Sequence, residues 1–185
     1  MSHLQRCNWC SDDPLYMAYH DHEWGKPLFD EAALFELLCL EGQQAGLSWI
    51  TVLKKREAYR QHFFQYSIQQ IAELSDIELA AKLQDAGLIR HLGKLKAIRS
   101  NAQAWLKLKA EFGNVVDWLW QIVEHHPIIN TVPCYKTAPA QTALSQQLSK
   151  TLKQRGFKFV GPTICYAFMQ ASGMVNDHEN DCFCK

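Results

Sequence analysis

The sequence predicts an all-α fold. Apolar residues recur at helical spacing along nearly the whole chain, no segment alternates convincingly at period two, and cap residues punctuate the periodic stretches. Length and composition fit one domain. The 185 residues can close a proper core, and 48% of them are hydrophobic against only nine Gly and six Pro, which excludes disorder and low complexity. No internal repeat and no linker divides the chain.

Asp30 N-caps a helix running to about Glu41, with Leu34, Leu37 and Leu38 on one face at i, i+3 and i+4. The next residue of that stripe, at i+7, is Glu41, and the fresh apolar run LSWI starts only after the break from Gly42 to Gly46. An unpaired buried carboxylate costs on the order of several kcal/mol. Glu41 therefore either turns out to water at a helix end or has a partner or a task. Ser48 can cap a second helix through roughly Phe64. Ser75-Asp76-Ile77-Glu78 is a capping box opening a third, closed by Gly87. A fourth runs from about Leu92 to Lys109, with Leu95, Ile98, Ala102, Trp105 and Leu106 inward. Asn114 starts a fifth, carrying Val116, Leu119, Ile122 and Val123, which stops before His126-Pro127. Residues 127 to 139 read as irregular loop. A sixth helix spans about Thr142 to Gln154 and a seventh about Pro162 to Ser172, ended by Gly173.

The last two helices are joined by RGFKFVGPT, residues 155 to 163. Gly156 suits a left-handed helix end and Pro162 a first helical turn. Gly161 leaves a bare backbone at a helix N-terminus, where free N–H groups favour an anion such as a DNA phosphate. Lys150, Lys153, Arg155 and Lys158 flank it, although an ordinary tight connection would also use these glycines. Formal net charge is zero, but its distribution is uneven. Acidic residues crowd the first forty or so positions. Basic ones cluster at Lys54, Lys55, Arg56 and Arg60, at Arg90, Lys94, Lys96 and Arg99, and around the last connection. A neutral total can hold a local phosphate-binding face, and such runs are also common on solvated helix faces.

No apolar stretch approaches ~18 residues and MSHLQRCNWC has no signal-like apolar region, so a cytoplasmic protein with no membrane partner is expected, by default a monomer. Seven cysteines is an odd number, better suited to buried thiols, metal ligands or nucleophiles than to a disulfide framework. Cys7, Cys10, His20 and His22 lie near one terminus, and His178, Cys182 and Cys184 near the other. His178 and Cys182 stand at i, i+4, so one helical turn could present both to one ion. Two thiolates with two imidazoles favour zinc, which would clip the termini together. An all-cysteine set of Cys7, Cys10, Cys182 and Cys184 is equally open from spacing, and CNWC alone could be a redox pair.

Taken in order, RCNW, DPLYMAYHDHEWG, LFELLCLEGQQAGLSWITVLKKRE, DAGLIRH, RGFKFVGPTICYAFMQASGMVNDH and Cys182 resemble the bacterial 3-methyladenine DNA glycosylase I family over essentially the whole chain. The resemblance implies a single compact domain, 1–185, of the helix-hairpin-helix DNA glycosylase superfamily, with the hairpin within about 142–173. It implies base-excision DNA repair: monofunctional hydrolysis of the N-glycosidic bond of 3-methyladenine, which releases the free base and leaves an abasic site. By the same resemblance, one structural zinc joins segments 7–20 and 178–182 through Cys7, His20, His178 and Cys182. The base pocket maps onto Tyr16, Tyr19, Glu41 and Trp49, with Glu41 and Tyr19 nearest the chemistry. DNA contacts fall on Arg155, Lys158, Gly161 and Thr163 of the hairpin, and on Gly46 and Leu47, in a loop that enters the duplex where the nucleotide leaves. Aligning VNDH with the wider superfamily's VDTH-type pattern puts Asn176 where a catalytic Asp would be, with Asp177 its neighbour. A direct base or nucleophile role at Asn176 therefore does not carry over, and no lysine is identified for lyase chemistry.

The implied partner is double-stranded DNA containing 3-methyladenine. Methylation at N3 makes the base cationic and its glycosidic bond weak, so the task is recognition more than acid catalysis. The nucleotide must be flipped, stacked on an aromatic face, and met by an ionised Glu41 that accepts from the exocyclic amine. A zinc-stabilised DNA-binding module without catalysis would account for the hairpin and the clip but gives Glu41 no role. Thiol redox through CNWC would explain only two residues.

Overall fold

The computed structural model describes residues 4–185. The first three residues, part of the stretch that lacks a signal-like region, lie outside the described residues. The chain is helical as expected. Its elements in order are α1 (Pro14–His22), α2 (Glu31–Gln43), α3 (Trp49–Tyr59), α4 (Ile68–Ala72), α5 (Asp76–Lys82), α6 (Leu92–Phe112), α7 (Val115–Trp120), β1 (Ile128–Ile129), α8 (Ala143–Gln154), α9 (Pro162–Ala171) and β2 (Val175–Asn176).

Helix α2 is the central strut. Asp30 caps it by accepting from Ala33 N–H at 2.8 Å, and it packs against both α6 and α9. Leu34, Phe35 and Leu38 are fully buried with Ile98, Ala102 and Trp105 of α6 and with Phe168 and Met169 of α9. Trp105 donates from Nε1 to Glu31 at 2.9 Å, which fixes α6 on the start of α2. Interior packing of this kind leaves little freedom for whatever α2 carries at its far end. That far end holds Glu41, Gly42 and Gln43, all buried.

Several boundaries differ from the sequence reading, each for a local reason. Helix α2 runs two residues beyond Glu41, through Gly42, which lies close against the α8–α9 connection, where a Cβ would come within 3.2 Å of Phe159. Leu37 is only partly buried. The second helix is α-helical only to Tyr59 and then widens into a π-turn, Arg60–Phe64, where Gln65 N–H reaches Arg60 C=O at 2.8 Å. Ser48 sits at its N-cap position but spends its hydroxyl on Thr51 Oγ1 at 2.8 Å. The Ser75–Glu78 capping box forms, and its helix stops at Lys82, before Gly87. On α6 the inward residue is Leu108, with Leu106 only partly buried, and the helix continues to Phe112.

Four elements, α1, α4, β1 and β2, were not anticipated. Helix α1 is held by the N-cap Asp13 and by Pro14 in its first turn, and α4 by a Ser67–Gln70 capping box. The stretch 127–139 read as loop includes β1, which pairs in parallel with β2 over two residues. Among the described residues no helix is long and apolar enough to cross a membrane.

Candidate active site

A cavity of about 220 Å³ opens where α1, the ends of α2 and α9, and the start of α3 converge. The residues expected to form a base pocket, Tyr16, Tyr19, Glu41 and Trp49, all line it. Tyr19 is buried and its ring sits 5.5 Å from that of Trp49 at 44°, while Tyr16 is half-buried. Trp9 and Trp24 continue the aromatic wall, with ring centroids 4.9 Å apart. Sequence reading missed Trp9, Trp24, Gln44, Tyr135, Gln170 and Asp177 as pocket residues. Trp9 and Trp24 stand close in sequence to the candidate metal ligands Cys7 and His20, and no periodic pattern ties them to the pocket.

Glu41 forms part of the wall as a carboxyl without partners. Its side chain makes no hydrogen bond to any described residue, and its Oε2 is fully enclosed. Burial alone raises its pKa to about 8. With no cation beside it, the buried carboxyl favours its protonated form near neutral pH. Trp49 Nε1 is likewise buried without an acceptor. Two unsatisfied polar groups on an aromatic cavity suit a flat heterocycle that carries its own donors and acceptors.

Asp177 lines the same cavity in the opposite environment. It accepts from Tyr166 Oη at 2.5 Å, from Gln170 Nε2 at 2.8 Å and from Asn130 Nδ2 at 2.7 Å. Asn176, the residue in line with the superfamily's Asp, is engaged elsewhere. Its Oδ1 accepts from His178 N–H at 3.2 Å and lies 2.9 Å from His178 Nδ1.

The hairpin is formed by α8, α9 and their connection. Gly156 adopts φ +91°, and Gly161 begins α9 with open space around it and no side-chain cap. Lys158 and Thr163 are exposed beside it, and Asn101 of α6 holds the Lys158 backbone through both its N–H (2.8 Å) and its C=O (3.2 Å). Arg155 is differently placed. Its guanidinium pairs with Glu111 at 2.6 Å and lies 4.8 Å from the Phe112 ring, so it is committed within the protein. The other basic clusters are largely paired too: Lys54 with Asp13, Arg56 with Glu23, Arg60 with Glu36, and Lys96 and Arg99 with Asp76. Gly46 and Leu47 are exposed in the α2–α3 loop, with Leu47 at 41%.

The two chain ends meet. Ligand atoms of Cys7, His20 and Cys182 lie within 4.8 Å of one another, and so do those of His178, Cys182 and Cys184. The two groups share Cys182. Residues 178–182 form a turn rather than the expected helical turn, with Cys182 N–H on Glu179 C=O at 2.9 Å. Both imidazoles are oriented through Nδ1, His20 on Asp21 at 2.8 Å and His178 on Asn176, and His20 Nε2 accepts from Cys7 N–H at 3.3 Å and lies 3.4 Å from Cys182 Sγ. His178 Nε2 is buried without a partner, and burial together with His20 lowers its pKa to about 4, keeping it in the neutral, ligating form. Glu179 N–H points at Cys7 Sγ (3.3 Å), a contact that works against the burial raising the Cys7 pKa, and Cys184 N–H points at Cys182 Sγ (3.4 Å). Gly25, at φ +75°, permits the chain to press on the His178 ring, where a Cβ would come within 2.5 Å of Cε1. This N/S donor set suits zinc better than a hard cation. Cys10 lies outside both groups; its Sγ meets only Ser11 C=O.

A helical scaffold with an aromatic cavity, a buried carboxyl in its wall and an uncapped hairpin beside it defines a protein built to take up a flat nucleobase. Comparison with known proteins specifies which. A sequence model described as methyladenine glycosylase matches residues 9–185. The DNA-3-methyladenine glycosylase of Haemophilus influenzae is 53% identical over 180 residues, covering 97% of each chain. DNA-3-methyladenine glycosylase 1 of Escherichia coli is 52% identical over 181 residues, covering 98% of this chain and 97% of that one. A crystal structure of a 3-methyladenine DNA glycosylase I variant in complex with 3-methyladenine superposes with TM-score 0.94 at 38% identity, over 97% of each chain. The chain belongs to the methyladenine glycosylase family.

Proposed function

We propose that this protein is a DNA-3-methyladenine glycosylase that hydrolyses the N-glycosidic bond of 3-methyladenine in alkylated DNA, releasing the free base and leaving an abasic site. The observation that carries this reading is the partnerless Glu41 carboxyl beside Tyr19 and Trp49 in a cavity of about 220 Å³. Incubation with methylated duplex DNA should release 3-methyladenine. Tight DNA binding with no base release would instead mark a non-catalytic binding module.

Glu41, Tyr16, Tyr19 and Trp49 form the base site in this reading. The 3-methylated nucleotide carries a positive charge, and unmodified adenine does not. Brought beside Glu41, that charge lowers the pKa of the carboxyl, its proton passes to solvent, and the resulting carboxylate accepts from the exocyclic amine. Trp49 and Tyr19 stack on the ring, with roughly 0.5–2 kcal/mol available from a cation over an aromatic face. When the C1′–N9 bond breaks, its electron pair passes to the base, which leaves neutral, and water adds at C1′ and gives up one proton to solvent. Recognition is thus tied to the charge that makes the bond weak.

The hairpin amides at Gly161 and Thr163, with Lys158, hold backbone phosphate and position the duplex. Leu47, with Gly46, fills the space from which the nucleotide departs. Cys7, His20, His178 and Cys182 hold one structural zinc, with Cys184 a neighbouring thiol. The ion joins the termini beside the pocket wall, and every chemical step belongs to the pocket residues. The partner is double-stranded DNA and the active unit a monomer in the cytoplasm.

A further inference from the structure

Lys94 is the one buried lysine among the described residues, 6% exposed. The sequence placed it in a basic cluster with Arg90, Lys96 and Arg99, but its ammonium faces inward. No carboxylate pairs with it; Nζ donates to Gln43 C=O at 2.8 Å and to Ala45 C=O at 2.7 Å. These carbonyls close α2 and enter the loop that carries Gly46 and Leu47. Gln43 answers, donating from Nε2 to Lys94 C=O at 3.0 Å and accepting from Tyr59 Oη at 2.9 Å. Tyr59 Oη also accepts from Ile89 N–H at 3.2 Å, so α2, α3 and the start of α6 are joined in one network.

A cation suits the carbonyl end of a helix, whose last C=O groups lack intrahelical donors. Burying it there is unfavourable unless the acceptors are well placed, so the network specifies one loop conformation. Beyond it the loop has few ties of its own. Leu47 N–H reaches Gln44 C=O at 2.6 Å, Gly46 turns at φ +80°, and both Gly46 and Leu47 project into solvent.

We propose that Lys94 is a positioning residue for nucleotide flipping, holding the loop of residues 45–47, beyond the pocket residue Gln44, in the shape that carries Leu47 into the duplex. This rests on the reading of Leu47 as the group that fills the vacated space. Lys94 itself touches neither base nor phosphate. Its effect is therefore confined to the step in which a paired nucleotide is drawn out of the stack.

The test compares a methylated adenine paired with thymine and the same adenine facing an abasic analogue, in otherwise identical duplexes. Lys94→Met should lower kcat/KM roughly tenfold on the paired lesion and less than about twofold on the unpaired one, because flipping is least demanding for an unpaired base. Binding of free 3-methyladenine should be unchanged, as should the salt dependence of DNA binding. An equal fall on both duplexes, or weaker free-base binding, would overturn the proposal. A salt slope reduced by about one would make Lys94 a phosphate contact instead. Gln43→Met breaks the same network from the other side and must reproduce the pattern, so it decides alone if Lys94→Met does not fold. Leu47→Ala separates the two layers. If it too shows no difference between the duplexes, the reading of the loop fails; if it does while Lys94→Met does not, only the positioning role fails.

Discussion

With no donor on its enclosed oxygen and aromatic rings around it, the Glu41 carboxyl is pushed up by burial from the usual 4.5 to about 8. Its folded pKa lies above the unfolded one, so the sign is fixed. The neutral acid is fully tolerated below about pH 4.5, and stability is lost progressively as pH rises to about 8. At about 1.4 kcal/mol per unit the loss is on the order of a few kcal/mol. Melting curves should therefore show Glu41→Gln gaining on the wild type between about pH 4.5 and 8; a constant difference across that window would mean that Glu41 is not titrating in an enclosed site. Catalysis should run the other way. If the working form is the anion, kcat/KM of the wild type rises with pH towards about 8, while that of Glu41→Gln does not. Glu41 was legible in the sequence because it interrupts a leucine stripe. Its charge state was not, since that depends on what α1 and α3 place around it. Asp177 illustrates the same limit: its three donors come from residues 130, 166 and 170, which no local pattern ties to it.

Caps and breakers made most helices legible, because those signals are local. Asp30, Ser75, Asn114 and Thr142 each accept from a backbone N–H of the helix they open. Helix α1 escaped because its apolar periodicity is weak and its residues serve the pocket and the cysteine–histidine cluster. The two-residue β1–β2 pairing joins residues about 47 apart, beyond any local pattern. For the hairpin, clustered charge was a poor guide to which cations are free. Lys158→Ala should weaken binding to lesion and undamaged DNA alike and reduce the salt slope by about one, as measured by binding titrations at several salt concentrations. Arg155→Ala should instead lower stability, by roughly 1 kcal/mol for its aromatic and ionic contacts, and leave the slope nearly unchanged. A loss of lesion binding alone in Lys158→Ala would mean that the hairpin reads bases.

At the scale of the molecule, α2 is gripped between α6 and α9 while the two termini close beside its far end. The cysteine–histidine meeting was foreseen from residue types, but the contribution of the 178–182 turn and of Asp21 and Asn176 behind the imidazoles came only with the fold. Purified protein should contain close to one zinc per chain. Its removal should lower the melting temperature, and Cys7→Ala with His178→Ala should abolish retention while Cys10→Ala changes little. A stoichiometry near zero would remove the metal from the account. Under the proposed function, this scaffold presents one carboxyl, that of Glu41, to a cationic base. The most direct test is the rate of 3-methyladenine release from methylated duplex DNA per folded molecule of Glu41→Gln, with melting temperature recorded on the same sample. A loss of roughly 1.5–3 kcal/mol in transition-state stabilisation, about ten- to a hundredfold in rate, with stability at neutral pH kept or raised, is the expected result. A protein that melts early yet excises at the wild-type rate per folded molecule would show Glu41 to be a structural residue and contradict the account.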